Sequence, residues 1–183
     1  EETIRIAAEF LSDSDGVVAV DLAGAEALFP TSDYEKLFAH ARAEGIPFTI
    51  HAGEAAGPES IRQAVDYGTA RIGHGVNCIH DKNLMNIIAE KGITLELCPT
   101  SNLNTKIVND IKDYPIDKII NNKIKVTINT DNMTVSGTDE ASEMKLICDT
   151  FGYDGNMRRI FVDNAIDAAF LSNEMKEKLR GNL

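Results

Sequence analysis

Five short apolar runs, rich in β-branched residues, recur along the chain with helix-like segments between them. Their near-continuous apolarity is typical of strands buried on both faces of a parallel sheet. Between the runs the apolar residues follow helical spacing, as at Tyr34, Leu37, Phe38 and Ala41. The alternation predicts repeated βα units and therefore an α/β fold. The five predicted strands are residues 17–20, 47–50, 70–72, 93–97 and 124–128.

Residues suited to chemistry follow each predicted strand. Parallel strands whose carboxyl ends all carry polar groups are how a (β/α)₈ barrel builds its active site, whereas an open doubly wound sheet would concentrate them at one switch point. We therefore predict the (β/α)₈ TIM-barrel family. The five segments are Asp21-Leu22-Ala23-Gly24, His51-Ala52-Gly53-Glu54, Gly73-His74-Gly75, Cys98-Pro99-Thr100-Ser101-Asn102 and Asn129-Thr130-Asp131-Asn132.

The number of units is too small for a closed barrel. Eight βα units need about 250 residues, and this chain has 183 residues with five predicted units. We expect an incomplete barrel: a single domain over residues 1–183 that corresponds to the C-terminal portion, with the first three βα units absent. Three predicted helices after the last strand would close it, at residues 138–150, 156–170 and 172–179.

Composition narrows the class of partner. A formal net charge of −11 argues against binding to nucleic acid or to an anionic membrane, because both need a basic surface. No apolar stretch approaches the ~20 residues of a membrane span. The three cysteines are widely spaced and odd in number, which suggests neither a disulfide framework nor a cysteine-based zinc motif. We therefore expect a cytoplasmic protein and a small-molecule ligand.

The candidate site contains His51, Glu54, His74 and Asp131, whose strand ends would converge at the barrel mouth. Imidazole nitrogens and carboxylate oxygens suit zinc. Three of these residues also have a plainer interpretation. His51 could be a core histidine bonded to a backbone carbonyl, the glycines around His74 could mark a tight turn, and Asp131 could cap the helix that follows it. The combination favours a functional site.

The ordered set of motifs resembles the adenosine deaminase family of metal-dependent, amidohydrolase-type barrels. His-Ala-Gly-Glu at 51–54 and Asn-Thr-Asp at 129–131 carry most of the resemblance, which extends to the tail at 164–170. It implies hydrolytic removal of the 6-amino group of adenosine or 2′-deoxyadenosine, giving inosine and ammonia.

The resemblance also implies residue roles. His51 and Asp131 would be ligands of one zinc ion, and His74 would orient a hydroxide and act as a base or an electrostatic partner. Glu54 would protonate purine N1, which requires a carboxyl group that holds a proton. The predicted substrate-binding residues are Gly24, through its backbone N–H, Ser101 and Asn132.

Two departures from the family pattern matter. The family takes two further zinc ligands from a His-X-His on its first barrel strand, and this sequence has no His-X-His. We therefore expect this chain alone to bind zinc poorly and to have little deaminase activity. Where many relatives carry an aspartate that contacts purine N7, this chain has Asn132, whose amide is a donor at any pH.

Two other functions stay open. The chain could belong to a deaminase of another aminopurine, or it could be a non-catalytic barrel fragment that binds a nucleoside or a protein partner. An incomplete barrel would also expose unpaired strand edges at its first and last strands. We therefore expect self-association or pairing with the missing N-terminal portion.

Overall fold

The computed structural model describes residues 1–12 and 16–182. Within them, each strand of a single sheet pairs in parallel with the next strand along the chain. This is the order of successive strands in a (β/α)₈ barrel, so the predicted fold class is confirmed, with five βα units. The strands are β1 (Val20–Leu22), β2 (Phe48–Ala52), β3 (Arg71–His74), β4 (Thr94–Leu97) and β5 (Lys125–Ile128).

Helices connect the strands and follow the last one. Three of them, over residues 140–151, 155–168 and 173–181, follow β5 as predicted. Within the described residues, no helix is both long and apolar enough to cross a membrane. The α-helices are α1 (Glu2–Glu9), α2 (Glu35–Ala43), α3 (Pro58–Asp66), α4 (Lys82–Lys91), α5 (Pro99–Asn104), α6 (Ile116–Asn121), α7 (Met133–Ser136), α8 (Glu140–Phe151), α9 (Gly155–Ala168) and α10 (Asn173–Gly181).

The first strand begins later than predicted. Residues 17–20 were the apolar run, but β1 covers Val20–Leu22 because its pairing with β2 starts at Val20 opposite Phe48. Val17 instead forms an isolated bridge with Leu11. Pairing with a neighbouring strand, which local hydrophobicity does not report, thus sets the limits of this strand.

The face of the sheet that packs against the helices is apolar. One row of side chains crosses four strands in register, from Ile50 to Ile72 to Leu95 to Val126. Each of these residues is at most 1% exposed. Burial of this apolar row stabilises the sheet.

The opposite face, toward the barrel interior, is polar. The Arg71 guanidinium Nε lies 2.8 Å from Glu96 Oε1, and the Thr49 hydroxyl donates to Glu96 Oε2 at 2.9 Å. The ring of Phe170, which follows α9, lies 4.0 Å from the Arg71 guanidinium carbon. A layer of charged and hydrogen-bonded side chains therefore covers the interior face of the sheet. It lies between the segment after α9 and the carboxyl ends of the strands.

Candidate active site

The carboxyl ends of β2 and β3 carry the central residues of the site. His51 is the fourth residue of β2, and His74 is the last residue of β3. The chain turns sharply after β2 at Gly53, where φ is +73°, and a Cβ there would lie 2.2 Å from Ile61 Cδ1. Only glycine fits this position, and the turn it permits brings Glu54 back toward His51.

Three of the predicted site residues form one cluster. His51 Nε2 lies 3.0 Å from Glu54 Oε2, and His74 Nδ1 lies 3.7 Å from Glu54 Oε1. The two imidazole rings are 4.3 Å apart between centroids. One ligand atom from each residue falls within 4.8 Å of the others, which is close enough for a shared metal ion. The structure thus brings His51, Glu54 and His74 together as the sequence predicts.

The electrostatics of the cluster favour a His51–Glu54 ion pair. Burial alone would lower the pKa of His51, but the hydrogen bond and charge of Glu54 outweigh it, so the pKa is raised. The charge of Asp131 acts on His51 in the same direction. Burial alone would raise the pKa of Glu54, but its hydrogen bond with His51 and the charge of His74 lower it overall. With these partners Glu54 is ionised at neutral pH, whereas a proton donor to purine N1 needs the opposite state.

His74 is held in the neutral form. Burial is the main cause that lowers its pKa, and the charge of His51 adds to it. The side chain is 3% exposed, and its φ of +59° places it in the left-handed region that residues other than glycine rarely occupy. A strained, buried histidine at a strand end is a frequent feature of functional sites.

Asn102, on α5, connects these groups and was not among the predicted site residues. Its Nδ2 donates to Glu54 Oε1 at 3.1 Å and lies 3.0 Å from His74 Nδ1. Its Oδ1 accepts a hydrogen bond from the Tyr114 hydroxyl at 2.9 Å. Because an amide nitrogen only donates, His74 Nδ1 must accept, which leaves the proton of neutral His74 on Nε2. Asn102 ends the Cys-Pro-Thr-Ser-Asn segment that follows β4. Its position after a predicted strand could have identified it as a site residue.

The end of β5 is organised differently. Asp131 lies outside the cluster, and its Oδ2 accepts a hydrogen bond from the Ser101 hydroxyl at 2.7 Å. Its φ of +56° is again in the left-handed region. The residue that caps α7 is Asn132, whose Oδ1 accepts from the Val135 N–H at 3.0 Å. The plainer reading of Asp131 as a helix cap therefore belongs to its neighbour.

Gly24 follows β1, which lies at the opposite edge of the sheet from β5. A Cβ built there would meet nothing within 4 Å, so open space adjoins its backbone. A cavity of about 50 Å³ is lined by Gly24, Phe29 and His51, among others. A second cavity, of about 610 Å³, lies at the amino ends of the strands beside Pro47 and Phe170 and contains none of the predicted site residues.

Two further carboxylates near the site escaped prediction. Glu96 is the charged residue within the otherwise apolar β4, and it lies in the polar layer beneath the cluster. Glu26, two residues after Gly24, is buried and accepts hydrogen bonds from the turn that carries Glu54. A charged residue inside an apolar strand could have pointed to Glu96. No local pattern distinguishes Glu26, because its partners lie 27 to 34 residues away in sequence.

Comparison with known proteins places this geometry in a family. The family model for adenosine deaminase matches residues 1–183. An adenosine deaminase of Haemophilus ducreyi is 45% identical over 183 residues, which is 100% of this chain and 53% of that protein. The chain spans about half the length of the curated relatives it matches.

Solved structures of two related proteins are also similar to this chain. Arabidopsis ADAL complexed with IMP is 28% identical, with a TM-score of 0.87 over 98% of this chain and 52% of that one. An amidohydrolase from Burkhoderia ambifaria, solved with bound Zn, is 25% identical, with a TM-score of 0.84 over 92% of this chain and 48% of that one. One neighbour thus holds a purine nucleotide and another a zinc ion.

Proposed function

The chain belongs to the adenosine deaminase family, and on that premise we propose that it carries part of a site for hydrolytic deamination of adenosine or 2′-deoxyadenosine to inosine and ammonia. The observation that carries the proposal is the convergence of His51, Glu54 and His74 at the carboxyl ends of neighbouring strands. The match to adenosine deaminases at 45% identity supports the choice of reaction. The proposal includes residues 1–183 as the C-terminal portion of one barrel domain.

We propose zinc as the cofactor, with His51 and Asp131 as its ligands from this chain. The donors present suit a divalent cation, because imidazole and carboxylate groups are ligands of zinc and the ligand atoms around His51 lie within 4.8 Å of one another. The bound Zn of the Burkhoderia ambifaria structure supports the identity of the metal. Zinc, when bound, would make water acidic enough to be deprotonated near neutral pH.

Glu54 serves as the proton donor to purine N1 once His51 is engaged elsewhere. His51 Nε2 has one bonding position, so it cannot donate to Glu54 and ligate a metal at once. Loss of that hydrogen bond removes the largest interaction that lowers the pKa of Glu54, and burial, which raises the pKa, remains. The pKa of Glu54 then rises, which favours the protonated carboxyl group that a donor to the ring nitrogen needs.

His74 and Asn132 complete the proposed chemistry. Neutral His74, with its proton on Nε2, offers a donor that stabilises negative charge at the attacking oxygen. The Asn132 Oδ1 accepts the helix-cap hydrogen bond, which leaves the amide nitrogen as the donor for purine N7. Ser101 holds the Asp131 carboxylate. Open space adjoins Gly24, whose backbone N–H would contact the purine edge.

A second candidate is deamination of another aminopurine, such as adenine or a larger adenosine derivative. The 28% identical Arabidopsis structure holds IMP, which is a 6-oxopurine nucleotide. Side-by-side turnover of adenosine, adenine and AMP decides between the candidates. A cytoplasmic location is also part of the proposal, and the three free, buried cysteines at 78, 98 and 148 support it.

The test is a chimera in which this chain replaces the matching part of the Haemophilus ducreyi relative. We expect inosine formation from adenosine that a chelator removes and zinc restores. His51→Ala and Glu54→Gln should each reduce turnover by about 10³-fold or more, while the exposed Glu59→Gln should not. A folded, zinc-loaded chimera that converts none of the three purines would refute the proposal.

A further inference from the structure

The buried side chain of Glu26 lies within a ring of hydrogen-bond donors. Its Oε1 accepts from the Gly53 N–H at 2.6 Å and from the Ser60 hydroxyl at 2.5 Å. Its Oε2 accepts from the backbone N–H groups of residues 54, 55 and 56, at 3.1, 2.8 and 3.0 Å. Only 7% of the residue is exposed. One carboxylate thus binds four consecutive backbone amides and a hydroxyl.

This arrangement needs a negative charge at its centre. Successive backbone N–H groups that converge on one point form a concavity selective for anions. Burial would raise the pKa of Glu26, but the hydrogen bonds from Ser60 and from the backbone of Ala56, Gly53 and Ala55 outweigh it and lower the pKa. The geometry and the charge state agree, because five donors satisfy the carboxylate only when it is ionised.

The turn that Glu26 binds is the one that carries Glu54. The same turn is held from the opposite side by Asn77, whose Nδ2 donates to the carbonyl oxygens of Glu54 and Ala56 at 2.9 Å each. With both sides of its backbone fixed, the Glu54 side chain is directed at His51 and Asn102. A small displacement of a proton donor can greatly lower the rate of the reaction that it catalyses. The position of this turn therefore matters for the catalytic role of Glu54.

Glu26 also connects this turn to the proposed purine contact. The Glu26 N–H donates to the Gly24 carbonyl oxygen at 2.9 Å, so both residues belong to one tight segment after β1. That segment provides Gly24 toward the purine edge and the carboxylate that holds the turn of Glu54. A shift of one of these groups would therefore be transmitted to the other.

We infer that Glu26 is a positioning residue of the deaminase site: its carboxylate holds the turn at residues 53–56 so that Glu54 faces His51 and His74, and it ties that turn to Gly24. The inference rests on the proposed function, since it assigns Glu54 its catalytic role. Glu26 touches no reacting atom and acts through Glu54.

The test uses the chimera without metal and compares it by NMR with its Glu26→Gln variant. The amide of glutamine would turn an NH₂ group toward backbone N–H donors and break part of the ring of hydrogen bonds. We expect hydrogen-exchange protection at residues 53–56 to fall by about tenfold or more, with the amides of β3 and β4 unchanged. Glu59→Gln, on the adjacent helix with 76% of its side chain exposed, is the matched control and should change neither.

A second signal separates positioning from mere stabilisation. The ¹⁵N resonance of His51 Nε2 reports its hydrogen bond with Glu54, and it should move toward that of a free imidazole in Glu26→Gln. In Glu26→Ala, added formate should restore both the amide protection and the His51 resonance, whereas chloride at equal ionic strength should not. Unchanged amides or an unchanged His51 resonance in Glu26→Gln would overturn the inference.

If Glu26→Gln does not fold, Glu26→Asp decides, because it keeps the charge on a shorter arm. Reduced protection at 53–56 supports the inference, and full protection overturns it. None of these signals depends on turnover. A chimera without deaminase activity would refute the proposed function, while the amide and imidazole signals would still show whether Glu26 holds the turn.

Discussion

The central strands and the flanking strands of the sheet support two different kinds of site residue. At the ends of β2 and β3, His51, Glu54 and His74 are mostly buried, with side chains 17%, 14% and 3% exposed. At the ends of β1 and β5, Gly24 and Asn132 are exposed. The difference follows from pairing, since each central strand has a neighbour on both sides and each flanking strand has one. The acid–base part of the site is therefore preorganised in this chain, and its outer part is not.

The largest effect we predict concerns the flanking strands themselves. β1 and β5 each have a neighbouring strand on one side only in the described sheet, and such edge strands can pair with other chains. We expect the isolated chain to self-associate or to bind a complementary barrel segment, with a mass in light scattering that rises with concentration. A stable monomer at every concentration would show that the flanking strands are protected in another way.

The second-largest effect should come from a substitution that breaks the hydrogen-bond network around Asn102. Asn102→Ala removes the donor to Glu54 and leaves the Tyr114 hydroxyl and His74 Nδ1 without this partner in a buried site. We expect the free energy of unfolding to fall by about 3 kcal/mol in urea denaturation. Asn104→Ala, exposed on the same helix, is the matched control. Equal losses in the two variants would mean that the network contributes nothing beyond helix propensity.

The two histidines of the cluster should respond differently to pH. The pKa of His51 is raised, so its stabilising contribution is present below the unfolded pKa and lost as pH rises through the folded value. The pKa of His74 is lowered, so its contribution is present above the unfolded pKa and lost as pH falls through the folded value. In NMR titrations His51 should therefore gain its proton at higher pH than His74. Glu54→Gln should lower the pKa of His51, and an unchanged value would contradict the ion pair.

The smallest effect is at the exposed end of β5. Asn132→Ala removes the cap of α7 and should cost about 1 kcal/mol of unfolding free energy, whereas Thr134→Ala should cost less. Asn132→Asp keeps an acceptor for the Val135 N–H and should retain most of the stability. In the chimera it should also make purine binding pH-dependent, because aspartate donates to N7 only when protonated. Binding that stays independent of pH would remove Asn132 from the purine contact.

The sequence was informative about the fold wherever its signals were local. Apolar runs located the strands from β2 to β5 to within about two residues. Helical spacing located α2, whereas α1, α5 and α7 were not predicted. Residues 31–34 form a 3₁₀ helix that precedes α2, and α2 has no side-chain cap, which the spacing of its apolar residues does not reveal. The start of β1 was also misplaced, since its pairing with β2 decides it.

For the site, sequence reasoning found the residues on strand ends and missed those that connect strands. His51, Glu54 and His74 were predictable, because each follows or ends an apolar run. Asn102 and Glu26 act on groups 27 to 48 residues away, and such contacts leave no periodic trace. The ionised state of Glu54 likewise depends on its three-dimensional partners and could not be read from the motif.

Zinc binding by the chimera and its variants tests the central claim most directly. We propose that His51 and Asp131 bind the metal, although the structure clusters His51 with Glu54 and His74. In calorimetric titrations we predict one zinc per chimera, lost in His51→Ala and in Asp131→Asn and retained in His74→Gln, with weak binding by the isolated chain. Zinc binding that survives Asp131→Asn but not His74→Gln would contradict the account.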